Sequence, residues 1–139
     1  MERSEREAIA WGWRVVAEDA LKAAEGLRVS GFYRSSVSRS YYAAYSFLAG
    51  ALVLNASITF RDDREGPEHE PLSDLVADHL NKAFSQTSRQ SIRLGIRVLY
   101  GMRIEADYRP RSSIRSEKAV EALQIATTIA NNVRKSRPR

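Results

Sequence analysis

Phe47 to Leu54 reads Phe-Leu-Ala-Gly-Ala-Leu-Val-Leu, and a helix built from it has almost no polar side. Such a segment has to be enclosed, either at the centre of a helical domain or in an oligomer face. It is too short to cross a bilayer, which takes about 20 apolar residues. Everything around it has helical rather than strand periodicity, so the chain is constrained to bundle helices about this one.

The predicted first helix covers about Ser4 to Leu27, with Ile9, Trp13, Val16, Ala20, Leu21 and Ala24 recurring at helical spacing. Ser4 followed by Glu7 has the form of a capping box, and Gly26 and Gly31 mark the exit. The second helix covers about Phe32 to Asn55 and carries Val37, Tyr41, Tyr45, Leu48 and Leu52 on one stripe. Small residues (Ala43, Ala44, Ala49, Gly50, Ala51) allow a neighbouring helix to approach closely. Residues 57–70 form a polar, acidic connection with Gly66 and Pro67, expected to be the mobile part of the chain. The third helix covers about Pro71 to Phe84, interrupted by polar Ser85 to Ser88. The fourth covers about Arg89 to Asp107 and is stopped by Pro110. The fifth covers about Ser116 to Arg134, with Ser116 as its cap. A basic tail at about 134–139 is expected to fray. With 139 residues, the prediction is a single all-α domain, an antiparallel bundle of four to five helices.

Composition excludes several chemistries. There is no cysteine, hence no disulfide framework and no thiolate site, and the chain fits a reducing cytoplasm. The N-terminus, MERSEREAIA, lacks an apolar signal core. No phosphate-cradling GxxxxGK, no GxGxxG, no HExxH and no GxSxG are present. No cofactor, no metal site and no membrane association are expected. The net charge is +5, distributed unevenly. Asp62, Asp63, Glu65, Glu68, Glu70, Asp74 and Asp78 crowd one stretch, whereas Ser88 to Arg103 carries arginines without acids. Arg89, Arg93 and Arg97 share a helical stripe. They can track a phosphate backbone or contact the acidic residues 62–70 of the same or a second subunit, and the sequence leaves both open.

Two short runs concentrate polar groups on otherwise apolar helices: Ser38-Arg39-Ser40-Tyr41-Tyr42-Ala43-Ala44-Tyr45 and Arg103-Ile104-Glu105-Ala106-Asp107-Tyr108. Arg103 and Asp107 are four apart and read as an intrahelical ion pair, or as an arginine held ready for a phosphate. Arg39, Tyr41 and Tyr42 point in different directions on a helix, so they do not make one patch. Tyr41 and Tyr45 read as core. Arg39 or Tyr42 is expected to reach the fourth helix and join Glu105 or Asp107 in a polar network. His69 reads as a loop hydrogen-bonding residue, and His79 beside Asp78 as exposed surface.

The order of these motifs resembles a known family. A long helix, SRSYYAAY opening the second, a histidine in the following connection (GPEHEPLSDLV) and RIEADY closing the fourth are similar to the small stand-alone prokaryotic HEPN domains, over about residues 4–134. The resemblance implies a helical bundle that forms a homodimer, and a toxin–antitoxin or defence setting with a nucleotidyltransferase partner. It also implies RNA or a nucleotide as ligand. The second and fourth helices would form the dimer or partner surface, with Arg103 at the cleft. The family's ribonuclease branch, which is metal-independent, places a histidine four to six residues after an arginine. Here those positions after Arg103 are Asp107, Tyr108 and Arg109. The expected function is therefore an interaction module. The alternatives are a ribonuclease using Arg103 with Asp107 or Tyr108, and a purely structural oligomerisation domain.

Overall fold

The computed structural model describes residues 2–55 and 72–136. Five helices follow one another: α1 (Arg3–Val29), α2 (Tyr33–Asn55), α3 (Leu72–His79), α4 (Gln86–Tyr108) and α5 (Ser116–Lys135). No strand occurs among the described residues. The all-α bundle read from the sequence is the fold observed.

α2 is the axis. It touches each of the other four helices, and its residues are buried without a break from Ala43 to Val53. The apolar run at Phe47 is therefore a central helix, enclosed within the chain. The exposed positions of α2, Ser35 and Arg39, both lie in its first half. The fourth helix does leave apolar side chains outside, with Leu94 and Val98 about half exposed.

Alanines set how closely the helices approach. Every buried residue of α1 is alanine (Ala10, Ala17, Ala20, Ala24), and α5 contributes Ala119, Ala122, Ala126 and Ala130. Small side chains bring the backbones together and leave larger apolar groups at the margins. Thus Val16, expected on the buried stripe of α1, is 51% exposed, and Trp11 is 68% exposed. At Gly50 the approach is tight: an added Cβ would lie 3.1 Å from Trp13 Cβ and 3.3 Å from the Ala10 carbonyl oxygen.

Local signals set the exit of α1 and the start of α4. Gly31 has φ of 85°, the left-handed conformation that closes α1. Its N–H donates to the Arg28 carbonyl at 3.1 Å and the Phe32 N–H to that of Leu27 at 2.8 Å, the double closure of a Schellman motif. Ser85 caps α4 by accepting from the Ser88 N–H at 3.1 Å, so the polar stretch that was expected to interrupt the chain starts a helix instead. Ser4 and Ser116 do not cap. They lie inside the first turns of α1 and α5, behind Glu2 and Arg115. α3 stops at His79, short of the predicted Phe84.

Arginines from neighbouring helices close other ends. Arg6 of α1 donates to the Val53 carbonyl near the end of α2 at 2.7 Å. Arg89 of α4 donates to the Ala77 carbonyl near the end of α3 at 3.1 Å. Arg34 of α2 reaches the end of α4, donating to the carbonyls of Ala106 at 2.8 Å, Arg109 at 3.2 Å and Pro110 at 3.2 Å, and also to those of Glu105 and Ser112. The last carbonyls of a helix lack intrahelical partners and carry partial negative charge, so a cation there is favourable. Arg134 is likewise held: it pairs with Glu18 of α1, Nε to Oε2 at 3.2 Å, and lies 5.3 Å from the Phe47 ring centre. The tail expected from residue 134 is helix as far as Lys135, and residues 137–139 lie outside the described residues.

Replacing Arg34 by Ala strands these carbonyls and is expected to lower stability by about 2 kcal/mol. Arg34→Lys is expected to recover less than half of that, because an ammonium lacks the planar fork. Urea unfolding of the variants measures both. Gly101 has open space beside it, so Gly101→Ala is expected to raise stability by up to about 1 kcal/mol through helix propensity. Gly50→Ala is expected to lower the melting temperature, since Trp13 Cβ and the Ala10 backbone cannot easily move aside.

Candidate functional site

Antiparallel packing brings the start of α2 beside the end of α4, and the two polar runs meet there. Arg103 projects from α4 onto α2. Its Nη2 donates to the Tyr42 hydroxyl at 2.9 Å and the Tyr108 hydroxyl at 3.3 Å. Its Nε lies 3.3 Å from Asp107 Oδ2, an ion pair rather than a well-directed hydrogen bond. The guanidinium carbon stands 5.3 Å from the ring centres of Tyr42 and Tyr108 and 5.8 Å from that of Tyr41. Each such cation–π contact contributes roughly 0.5–2 kcal/mol, rising with desolvation. The arginine side chain is 14% exposed.

Asp107 is fixed from the other side, accepting from Ser38 Oγ at 3.0 Å. Tyr41 is fully buried, with its ring 5.4 Å from Tyr42, 6.3 Å from Tyr45 and 5.7 Å from Tyr100, centre to centre. Tyr41 and Tyr42, neighbours on α2, thus share the Arg103 cation, while Arg39 stands outside this patch. Tyr108 stands at the rim, 63% exposed.

The predicted polar network forms in part. Tyr42 and Asp107 join through Arg103, but Glu105 turns to α5 and pairs with Lys118 at 3.1 Å. Arg39 is exposed, on the wall of a groove between α1 and α2. The predicted basic stripe is also divided. Arg89 closes α3, Arg93 approaches Asp74 Oδ1 of the same helix at 3.6 Å, and Arg97 stays exposed. Arg89 and Arg93 lie toward the opposite end of α4 from the cluster, with Arg97 at the middle: Arg89 precedes Arg103 by 14 residues, about 21 Å along a helix. His79 is exposed at the end of α3, close to the carbonyl that Arg89 holds. His69 lies outside the described residues. No three potential metal ligands gather among the described residues.

Two contributors were missed from sequence. Ser38 stands within the SRSYYAAY run, and its register with Asp107 depends on how α2 and α4 pack. Arg34, by holding the carbonyls next to Asp107 and Tyr108, fixes the end of α4 on which the cluster stands. No local signal separates it from any other arginine in a first helical turn.

The electrostatics favour a permanent cation. Burial works against the charge on Arg103, but Tyr42, Tyr108 and Asp107 outweigh it, and the group is held more basic than a free arginine. Burial pushes the Tyr41 hydroxyl well above the ordinary tyrosine range, while the Arg103 charge opposes that rise. Chemically, the cluster offers a fixed cation and hydroxyl donors. Arg103 Nη1 donates to no described residue and keeps access to solvent. A phosphate oxygen suits that nitrogen. The cluster holds no imidazole, the group that exchanges protons near neutral pH.

In the unfolded chain a tyrosine loses its proton near pH 10, whereas Tyr41 in the folded protein retains it. The stabilisation is complete below that pH and is lost as pH rises toward the folded value. Stability is therefore expected to fall on raising the pH above about 10. Arg103→Ala should move the Tyr41 ionisation higher still, because the opposing cation is gone. Ultraviolet titration of tyrosinate against the Tyr41→Phe variant checks the assignment.

A family model described as HEPN domain matches residues 10–136, nearly the whole chain. A search of curated proteins finds no match.

Proposed function

The chain belongs to the HEPN domain family, and from that premise we propose that it is an RNA-binding interaction module whose phosphate contact is Arg103. The observation that carries the reading is the state of that side chain. Asp107 and the tyrosines fix its orientation and charge, and one terminal nitrogen is left without a partner among the described residues. A pre-oriented guanidinium loses little freedom on binding an anion. Arg109, Arg111 and Arg115, exposed on the connection from α4 to α5, extend positive charge beside the rim and favour a polyanion over a lone carboxylate.

The setting we propose is a toxin–antitoxin or defence-type system in the cytoplasm, with the chain as a homodimer and a nucleotidyltransferase as partner. The resemblance of its paired motifs supports this, as do the uncovered Leu94 and Val98 on α4, which give a second copy apolar surface to cover. No helix among the described residues is long and apolar enough to cross a membrane.

Ribonuclease activity is the second reading, favoured by the Tyr108 hydroxyl standing 3.3 Å from Arg103 Nη2. A tyrosine so placed could give a proton to a leaving oxygen while Arg103 stabilises developing charge. The cluster lacks an imidazole to take up a proton near neutral pH, so binding without turnover is the better account.

Short single-stranded RNA is expected to bind the protein, weakly in high salt. Arg103→Ala should reduce the affinity about tenfold, as the loss of one charge-assisted contact implies, while the helical content is unchanged. Total cellular RNA incubated with the protein in chelator should stay intact. Cleavage that disappears in Arg103→Ala would replace binding by catalysis, and equal affinity in the variant would remove Arg103 from the interface.

A further inference from the structure

Between α1 and α2, on the far side of Tyr42 from the helix that carries Arg103, runs an open groove of about 570 Å³. That volume lies within the range of small-ligand sites. Trp13, Val16, Asp19, Arg39, Tyr42 and Tyr45 line it. The groove exists because α1 meets α2 through alanines, which leaves the larger side chains standing on either side of a low floor.

The lining combines features that seldom occur together. Trp13 and Tyr45 meet edge to face, 5.7 Å between ring centres at 76°, and Tyr42 adds a third ring that also carries Arg103. Trp13 and Tyr42 are partly exposed and can stack a flat aromatic ligand, with buried Tyr45 behind Trp13. Asp19 and Arg39 bring opposite charges to the same groove, yet they form no ion pair with each other, and neither is committed elsewhere among the described residues. The carboxylate disfavours a phosphate in the groove itself. A neutral, planar ligand with donors on one edge and acceptors on another satisfies both charges.

We propose that this groove binds a guanine base, with Asp19 accepting from its N1–H and N2–H groups and Arg39 donating to O6 and N7. Guanine alone among the common bases presents two adjacent donors to a carboxylate. Adenine and cytosine set one amino group beside a bare acceptor nitrogen that a carboxylate repels, and uracil flanks its single N–H with carbonyls. Arginine to O6 and N7 is the usual two-bond contact to guanine. The proposal rests on the RNA-binding reading: Tyr42 lines the groove and bonds to Arg103, so a base in the groove puts its own backbone within reach of that cation. A free guanine nucleotide has the same chemistry and is separated from RNA by the test.

The test titrates the full chain with heptauridylate and with the same oligomer carrying one central guanosine, inosine or adenosine, reading Trp fluorescence and anisotropy. Inosine lacks only the N2 amino group. Guanosine is expected to bind about tenfold tighter than inosine and tighter still than adenosine, and Asp19→Asn, at an exposed position, should bring the guanosine-to-inosine ratio near one with helical content retained. Equal affinity for the guanosine and inosine oligomers, or a preference for guanosine over inosine that survives Asp19→Asn, overturns the guanine site. That failure is distinct from failure of the phosphate reading, in which the oligomers bind equally well to Arg103→Ala. If no oligomer binds, titration with GMP decides: binding that is lost in Asp19→Asn supports the groove as a site for free guanine nucleotide, and no binding overturns it.

Discussion

α2 has no face that tolerates water over its second half, and the placement of every other helix answers that requirement. Phe47, Leu48, Leu52 and Val53 are all buried, on different sides of one helix, so neighbours must stand on every side. The alanines of α1 and α5 allow them to stand close. Close approach has a second consequence: larger side chains such as Trp13 and Val16 cannot enter the seam and are pushed to its edge. The core and the groove between α1 and α2 thus have a common origin in the use of alanine where helices cross.

The same enclosure explains the arginine cluster. The first half of α2 lies against the last turns of α4, and a buried polar group there must find a partner within the chain. Arg103 does so with Asp107, Tyr42 and Tyr108, and Ser38 holds Asp107 in turn. Most of these contacts satisfy the arginine itself, so much of the cluster is stabilising architecture. The functional reading depends on the single nitrogen left over. Much of the basic excess is absorbed in a comparable way. Arg6, Arg34 and Arg89 close the C-terminal ends of helices to which they do not belong, and a positive net charge therefore overstates how much of the surface is available to a polyanion.

Arg103 with Asp107 was legible because four residues make one helical turn, and both fall in a short run that is polar on an apolar helix. Tyr41 beside Tyr42 around one cation was not, since two residues 100° apart on a helix reach a common point only when a long side chain from the partner helix comes between them. The division of Arg89, Arg93 and Arg97 was also hidden: their spacing is regular, but α3 lies along only part of the stripe.

Hydrophobic period, glycine at the exit of α1 and the apolar all-round segment are properties of neighbouring residues, and they were enough to determine five helices around a central one. They also determined that an arginine would stand four residues before an aspartate near the end of α4. Which polar groups meet across helices was decided by tertiary packing alone. Ser38 with Asp107, Arg34 with the end of α4, Lys118 with Glu105, and Asp19 and Arg39 on the lining of one groove depend on the axial register between helices. A shift of one residue moves a side chain by about 1.5 Å along the axis and 100° around it, and nothing local in the sequence fixes that register.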